Sequence, residues 1–275
     1  MIQLEFSKYQ GLGNDFIIFE HDRIKEYNYS QLAKDVCNRH FGIGADGMAI
    51  VKHDKYWEMP FYNADGSEAP MCGNASRCVA DYVKKYHNQT DDFVLVTKGA
   101  KLRMSYVGDE VSVNLGNPLY SPREVPVDWD SDEFISQEIV VNGRKIKISA
   151  VFMTTSHCVV FLDNFNKYDL SSLGEKIENH HLFPKNINVN FVIVKDKDSL
   201  IQKTWERGVG MTLACGTGAS ASVAIANKLG LVNDKVKVQM DGGSLVIEVN
   251  KDREIVMQGE VAEIARGKYF YEEGE

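Results

Sequence analysis

Proline, paired cysteines and long apolar runs are scarce or missing in this chain, and each shortage removes a class of protein. Six prolines in 275 residues leave no collagen-like or proline-rich low-complexity tract. No apolar run approaches the length of a membrane-spanning helix. The opening residues, MIQLEFSKYQ, lack a basic segment followed by an apolar one, so no secretory signal is expected there. A basic excess is also missing. Lys and Arg number 31 against 39 Asp and Glu, a net charge of −8, which argues against nucleic acid or anionic lipid as partner. The five cysteines, Cys37, Cys72, Cys78, Cys158 and Cys215, are odd in number and include no Cys-x-x-Cys. That spacing excludes a zinc knuckle and suggests reduced thiols in a cytoplasm. What remains, with 44% hydrophobic and 25% charged residues, is an ordinary globular composition.

An internal repeat organises the chain. Residues 71–83, MCGNASRCVADYV, match 214–226, ACGTGASASVAIA, at an offset of 215 − 72 = 143. The offset holds without a gap for about a hundred residues, too long a stretch for chance. Downstream, Gly99 pairs with Gly242, Leu102 with Leu245, Met104 with Ile247 and Gly116 with Gly259. Upstream, Asn63 pairs with Glu206, Ala49–Val51 with Val192–Val194, and Asn14 with His157.

Each half then reads in the same order. A β-like stretch (17–19, 159–161) and a second strand (48–51, 191–194) precede a Gly-rich loop with a cysteine. A helix comes next, and then alternating runs separated by glycine turns, as in antiparallel meanders. The run 221–226 has no charged face and should be buried all round. The expected fold is therefore α/β (α+β): two pseudo-twofold-related halves, each a curled, mostly antiparallel sheet wrapped around a central helix. Prolines and polar residues cluster from Asn117-Pro118 to Pro126. The expected division is 1–117 for the first half and 118–259 for the second, with 260–275 packing back on the first.

The cysteines of the two motifs sit at loop-to-helix junctions. A helix start presents unpaired N–H groups and partial positive charge, which lowers a thiol's pKa and offers a carboxylate site. Gly73-Asn74 and Gly216-Thr217 come directly after, and glycine there lets backbone approach a ligand closely. With the halves face to face, two thiols suit proton exchange at an α-carbon, one removing the hydrogen while the other delivers a proton to the opposite face. No pyridoxal phosphate, metal or other cofactor is then required. Cys37, Cys78 and Cys158 read as buried small hydrophobes. A redox-active disulfide is the rival reading of Cys72 and Cys215, and the flanking glycines and polar residues suit a ligand better. His157 and Glu206 are ordinary polar residues by default, but their repeat partners Asn14 and Asn63 place all four toward a shared cleft.

At these residues the chain resembles the diaminopimelate epimerase family. The resemblance is carried by GLGNDF (11–16), FGIGADG (41–47), NADGSEAPMCGN (63–74), NINVNF (186–191), WERGVG (205–210) and ACGTGA (214–219). Proline racemases and phenazine-type isomerases share that fold, but the run starting at Asn63 points away from them. The resemblance implies a cofactor-independent isomerase that interconverts LL- and meso-diaminopimelate for lysine and peptidoglycan precursor synthesis. It implies Cys72 and Cys215 as the acid/base pair, with His157 and Glu206 tuning them. It places the reacting carboxylate on Gly73-Asn74 and Gly216-Thr217. It gives Asn14, Asn63, Asn188, Glu206 and Arg207 substrate contacts. A small-molecule amino acid is the expected partner, with a homodimer as the candidate assembly.

Three positions depart from the family pattern. Thr154-Thr155-Ser156-His157 replaces Gly-Asn-Pro-His, so Thr155 stands where the family asparagine grips the substrate's far end. Met211 replaces a glutamate, and Ala75 replaces a glycine. These changes spare the proton-transfer set. They keep open racemisation of another amino acid, such as histidine, by the same machinery. A non-catalytic amino-acid-binding protein is the third reading, and retention of both thiols counts against it.

Overall fold

The computed structural model describes residues 2–271, and the last four residues of the expected returning segment, 272–275, lie outside the described residues. In chain order the first elements are β1 (Ile2–Gly11), β2 (Asn14–Glu20), α1 (His21–Ile24), α2 (Tyr29–Cys37), β3 (Gly47–His53) and β4 (Trp57–Glu58). Then come β5 (Phe61–Asn63), β6 (Glu68–Ala69), α3 (Gly73–His87), β7 (Phe93–Val96), β8 (Lys101–Val107) and β9 (Glu110–Asn114). The next are β10 (Gln137–Val141), β11 (Arg144–Met153), β12 (Thr155–Phe161), α4 (Leu170–Glu178), β13 (Asn188–Asp196), β14 (Ser199–Glu206) and β15 (Gly210–Thr212). The last are α5 (Gly216–Lys228), β16 (Lys235–Met240), β17 (Gly243–Val249), β18 (Ile255–Gly259) and β19 (Ala262–Tyr271). The chain folds as two compact units, Met1–Val113 with Gly259–Glu275, and Asn114–Gln258.

The first unit is built around β2 and β3, a parallel pair in which Phe16 stands beside Gly47 and Ile17 beside Met48. Phe16, Ile17, Ile18 and Phe19 are all buried, because the sheet is covered on both faces. Ile17 and Phe19 pack with Ile24, Leu32 and Val36 of α1 and α2, while α3 packs on β1, β2 and β3. β19 pairs antiparallel with β1 along its length, from Ile2 opposite Tyr271 to Gln10 opposite Ala262.

The second unit repeats the plan. β12 and β13 pair in parallel with Val159 beside Asn190 and Val160 beside Phe191, the register of β2 and β3 shifted by 143. Trp57 beside Leu95 becomes Leu200 beside Val238, and Leu95 opposite Leu102 becomes Val238 opposite Leu245. The match breaks in two ladders: Lys8 faces Ile17, whereas Val151 faces His157, and Gly47 faces Asn63, whereas Asn190 faces Thr204, so Glu206 sits two residues beyond the equivalent rung. The ladder runs β10–β11–β12–β13–β14–β16–β17–β18 and, among the described residues, does not return to β10, so the sheet does not close. Residues 216–226 of α5 are all buried, which explains a helix with no charged face. α4 covers the other face through Leu173 and Ile177, which pack with Phe183, Val189 and Phe191.

Candidate active site

Cys72 and Cys215 occupy the same structural position, the residue just before the first turn of the central helix. Both are extended, at φ −138°, ψ 115° and φ −130°, ψ 109°, and neither side chain caps its own helix. The first helical hydrogen bonds are Ser76 N–H to the Cys72 carbonyl and Ala219 N–H to the Cys215 carbonyl, each 2.9 Å. The N–H groups of residues 73–75 and 216–218 precede those ladders, giving each thiol a set of donors and the positive end of a helix. All five cysteines are reduced. Burial raises the pKa of Cys37 to about 12 and pushes Cys78 and Cys158 up further, which keeps those three protonated.

In the first unit, Asn74 Nδ2 donates to Asn14 Oδ1 at 2.7 Å, and Asn14 Nδ2 donates to Asp46 at 3.1 Å. Arg39 bridges Asp46 and Asp15, and Lys8 pairs with Asp15 at 2.9 Å, so the GLGNDF and FGIGADG motifs form one braced loop pair. Arg77, fully buried on α3, donates to Asn74 Oδ1 at 3.0 Å. Burial pulls the Arg77 pKa down, and the nearby Cys78 and Cys72 thiols oppose that pull. Asn63 is not part of this network. It is exposed and bonds Ser67 within its own turn.

In the second unit, Cys215 Sγ lies 3.5 Å from Thr217 Oγ1, and His157 Nε2 lies 3.0 Å from the same hydroxyl. The His157–Thr217 contact is the 143-shifted equivalent of Asn14–Asn74. His157 is wholly buried, and burial together with the Arg207 cation lowers its pKa to about 3. Burial raises the Glu206 pKa above its ordinary value, with the nearby Thr212 hydroxyl and Cys215 thiol opposing the shift. Cys215 therefore adjoins a carboxylate that accepts and a hydroxyl that can donate.

Asn188 Oδ1 accepts the Arg207 N–H at 3.0 Å, and its amide donates to the Ser156 carbonyl at 2.9 Å. The Arg207 guanidinium bonds the Lys185 carbonyl at 3.1 Å on an exposed turn. Thr155 opens β12 after Thr154, which has φ +62°, and it is half-buried with Met153 as its ladder partner. Met211 is 38% exposed and faces Trp205 across the β14–β15 ladder.

Two residues that hold this geometry escape the sequence reading. Asn190 sits against His157 Nδ1 at 3.2 Å. Glu178, buried at the end of α4, accepts from the Trp205 indole at 2.6 Å and the Gly208 N–H at 2.9 Å, which fixes the turn carrying Glu206 and Arg207. The one sequence signal for either is that Asn190 lies inside NINVNF, beside the asparagine the family resemblance picks out.

A family model described as diaminopimelate epimerase matches residues 6–120 and 149–264. A diaminopimelate epimerase of Alkaliphilus metalliredigens is 41% identical, covering 98% of each chain. One from Caldanaerobacter subterraneus subsp. tengcongensis is 40% identical, covering 96% of this chain and 99% of its own. Among solved structures, a phenazine biosynthesis PhzF-family protein of Bacillus anthracis shares the fold at a TM-score of 0.71 and 12% identity, over 98% of this chain and 100% of that one. A hydroxyproline epimerase of Agrobacterium vitis does so at 0.68 and 11%, over 97% and 92%.

Proposed function

Since the chain belongs to the diaminopimelate epimerase family, we propose that it interconverts LL- and meso-diaminopimelate by two-base proton transfer between Cys72 and Cys215. It is an isomerase of the epimerase and racemase type that works without pyridoxal phosphate. The observation that carries the two-base reading is the identical placement of the two thiols, each extended and immediately ahead of its unit's central helix. One thiolate takes the α-hydrogen as a proton, leaving the electron pair on the α-carbon and its carboxylate. The other thiol returns a proton to the opposite face, so the enzyme ends with its thiol and thiolate exchanged.

Charge grows on the carboxylate as the α-proton leaves. The N–H groups at Gly73-Asn74 and Gly216-Thr217 are fixed donors suited to it, and their preorganisation lowers the barrier without rearrangement. Glu206 is the proton acceptor for Cys215: the S–H bond breaks, the proton passes to the carboxylate, and the sulfur keeps the pair. Asn14, Asn63, Asn188, Arg207 and Thr155 are proposed substrate contacts, with Arg207 suited to fork onto the distal carboxylate. Among the described residues no helix is long and apolar enough to cross a membrane. A cytoplasmic site of action in lysine and peptidoglycan precursor synthesis, with a homodimer as the assembly, belongs to the same proposal.

The test is hydrogen exchange in D₂O under reducing conditions, with LL-diaminopimelate and separately with each common L-amino acid. The expected result is deuterium incorporation at an α-carbon of diaminopimelate with formation of the meso form. Faster exchange in another amino acid would overturn the substrate, and no exchange anywhere would overturn the activity. Cys72→Ala and Cys215→Ala should each abolish epimerisation. Full turnover by either variant would sink the two-base assignment.

A further inference from the structure

We propose that Asn190 is a positioning residue: it fixes the direction of a hydrogen-bond chain, Asn190 to His157 to Thr217 to Cys215, so that a neutral His157 donates and the Thr217 hydroxyl proton points at the Cys215 sulfur. The chain starts from groups whose roles are forced. Asn190 Nδ2 lies 3.2 Å from the Cys158 carbonyl, which can only accept, so that side of the amide is the NH₂. Its Oδ1 accepts from Thr204 Oγ1 at 3.1 Å, and that hydroxyl in turn accepts from Gln202 Nε2 at 2.9 Å. The second Asn190 N–H therefore faces His157 Nδ1 at 3.2 Å and makes it an acceptor. The ring proton must then sit on Nε2, which donates to Thr217 Oγ1 at 3.0 Å. With its oxygen already accepting, Thr217 directs its own proton to Cys215 Sγ at 3.5 Å.

Packing holds this arrangement. A Cβ added to Gly218 would overlap the Asn190 side-chain oxygen, so helix α5 presses the amide in place. The charged groups facing the chain agree with a neutral ring. Burial disfavours a proton on His157, and the Arg207 cation acts in the same direction. Glu206 accepts from the Cys215 thiol. The thiol thus loses its proton toward Glu206 while Thr217 donates to the thiolate that remains. A donor to the charged form lowers a thiol's pKa. His157 in this chain is a donor at one remove, not the base that takes the thiol proton. Had Asn190 been aspartate, the same ring would have carried its proton on Nδ1, and Thr217 would have turned away from sulfur.

The proposal rests on the two-thiol reading for its consequence, but its tests need no turnover and so fail or succeed separately. Nitrogen-15 NMR of His157 should show the neutral tautomer protonated on Nε2 from pH 5 to 8. An Nδ1-protonated ring or an imidazolium at pH 7 would overturn it. In Asn190→Leu, alkylation of Cys215 by iodoacetamide at pH 7 should slow about tenfold, the effect of one pKa unit, with the Cys72 rate unchanged. Equal slowing of both thiols would mean a merely structural role and would overturn the assignment. His157→Gln, whose amide N–H can stand in for Nε2–H, should keep Cys215 alkylation near the wild-type rate. Loss of reactivity there equal to that of Asn190→Leu would identify His157 as the base.

Discussion

Glu206 is pulled two ways, upward by burial and downward by the neighbouring Thr212 hydroxyl and Cys215 thiol, and burial wins. That fixes the sign of its effect on activity. In the proposed proton transfer the carboxylate is ionised before it takes the Cys215 proton, so epimerase activity should fall on acidification through a pKa above the ordinary glutamate value of 4.5. Glu206→Gln keeps the shape and removes the acceptor. It should lower kcat by about 10²–10⁴-fold and flatten that acid limb in a pH–rate profile, and an unshifted limb would contradict the assignment. His157 leaves a mark on stability instead. Its folded pKa is lowered to about 3 from 6.5, so the unfolded chain binds a proton that the folded chain refuses. Its contribution is complete above pH 6.5 and is lost as pH falls toward 3, at up to about 1.4 kcal/mol per pH unit. Urea titrations at stepped pH should show a shallower acid slope in His157→Gln. At this scale the two thiols were legible because a duplicated Cys-Gly stands out. Asn190 was not, because its role depends on partners at His157 and Cys158, more than thirty residues away in sequence.

The elements that were readable are those with a strong local signal. The all-apolar runs of β2, β3, β12 and β13 announce strands covered on both faces, and the small uncharged residues of α5 announce a helix enclosed by its sheet. The register of the repeat is preserved through β7–β8 and β16–β17, as an unbroken offset requires. The two-residue slip between the β3–β5 and β13–β14 ladders was not readable, because sequence offset does not specify which rungs meet. α4 was equally silent: a nine-residue helix with glycine at its middle gives little periodic signal. Yet α4 holds the Glu206 turn. Gly174 lies flat on the Trp205 side chain, where an added Cβ would come within 2.7 Å of the indole. Gly174→Ala should cost about 1–3 kcal/mol by overpacking, seen as a lower urea midpoint. Glu178→Ala leaves the Gly208 N–H and the Trp205 indole without their acceptor. It should raise KM for diaminopimelate and lower kcat together, since it loosens the strand end that carries both Arg207 and Glu206. Steady-state kinetics in which only one of the two changed would contradict that.

At the scale of the whole chain, the paired region of the repeat ends at Gly259, and β19 pairs antiparallel with β1 as β10 does with β11. β19 supplies β1 with a partner along its full length. Its Glu263 accepts from Tyr86 at 2.6 Å and pairs with Lys85 and Arg266. Tyr271 packs edge-on against Tyr27 at 5.4 Å, joining the core of α1 and α2. The expectation that 260–275 packs back on the first half comes from its position beyond the repeat, not from the composition of 262–271. Its alternation of exposed and half-buried residues is weak, and its pairing partner lies at the opposite end of the chain. Removing it strips one edge from the first unit only, exposing a ten-residue strand that invites edge-to-edge association. The chain carries one tryptophan in the first unit, Trp57, and two in the second, Trp129 and Trp205. A chain ending at Val261 should therefore lose stability where Trp57 reports it and keep the transition that Trp205 reports. Single-tryptophan variants tracked by fluorescence in urea make the comparison. A truncated chain in which both tryptophans shift together, or neither shifts, would show that β19 does not serve the first unit selectively.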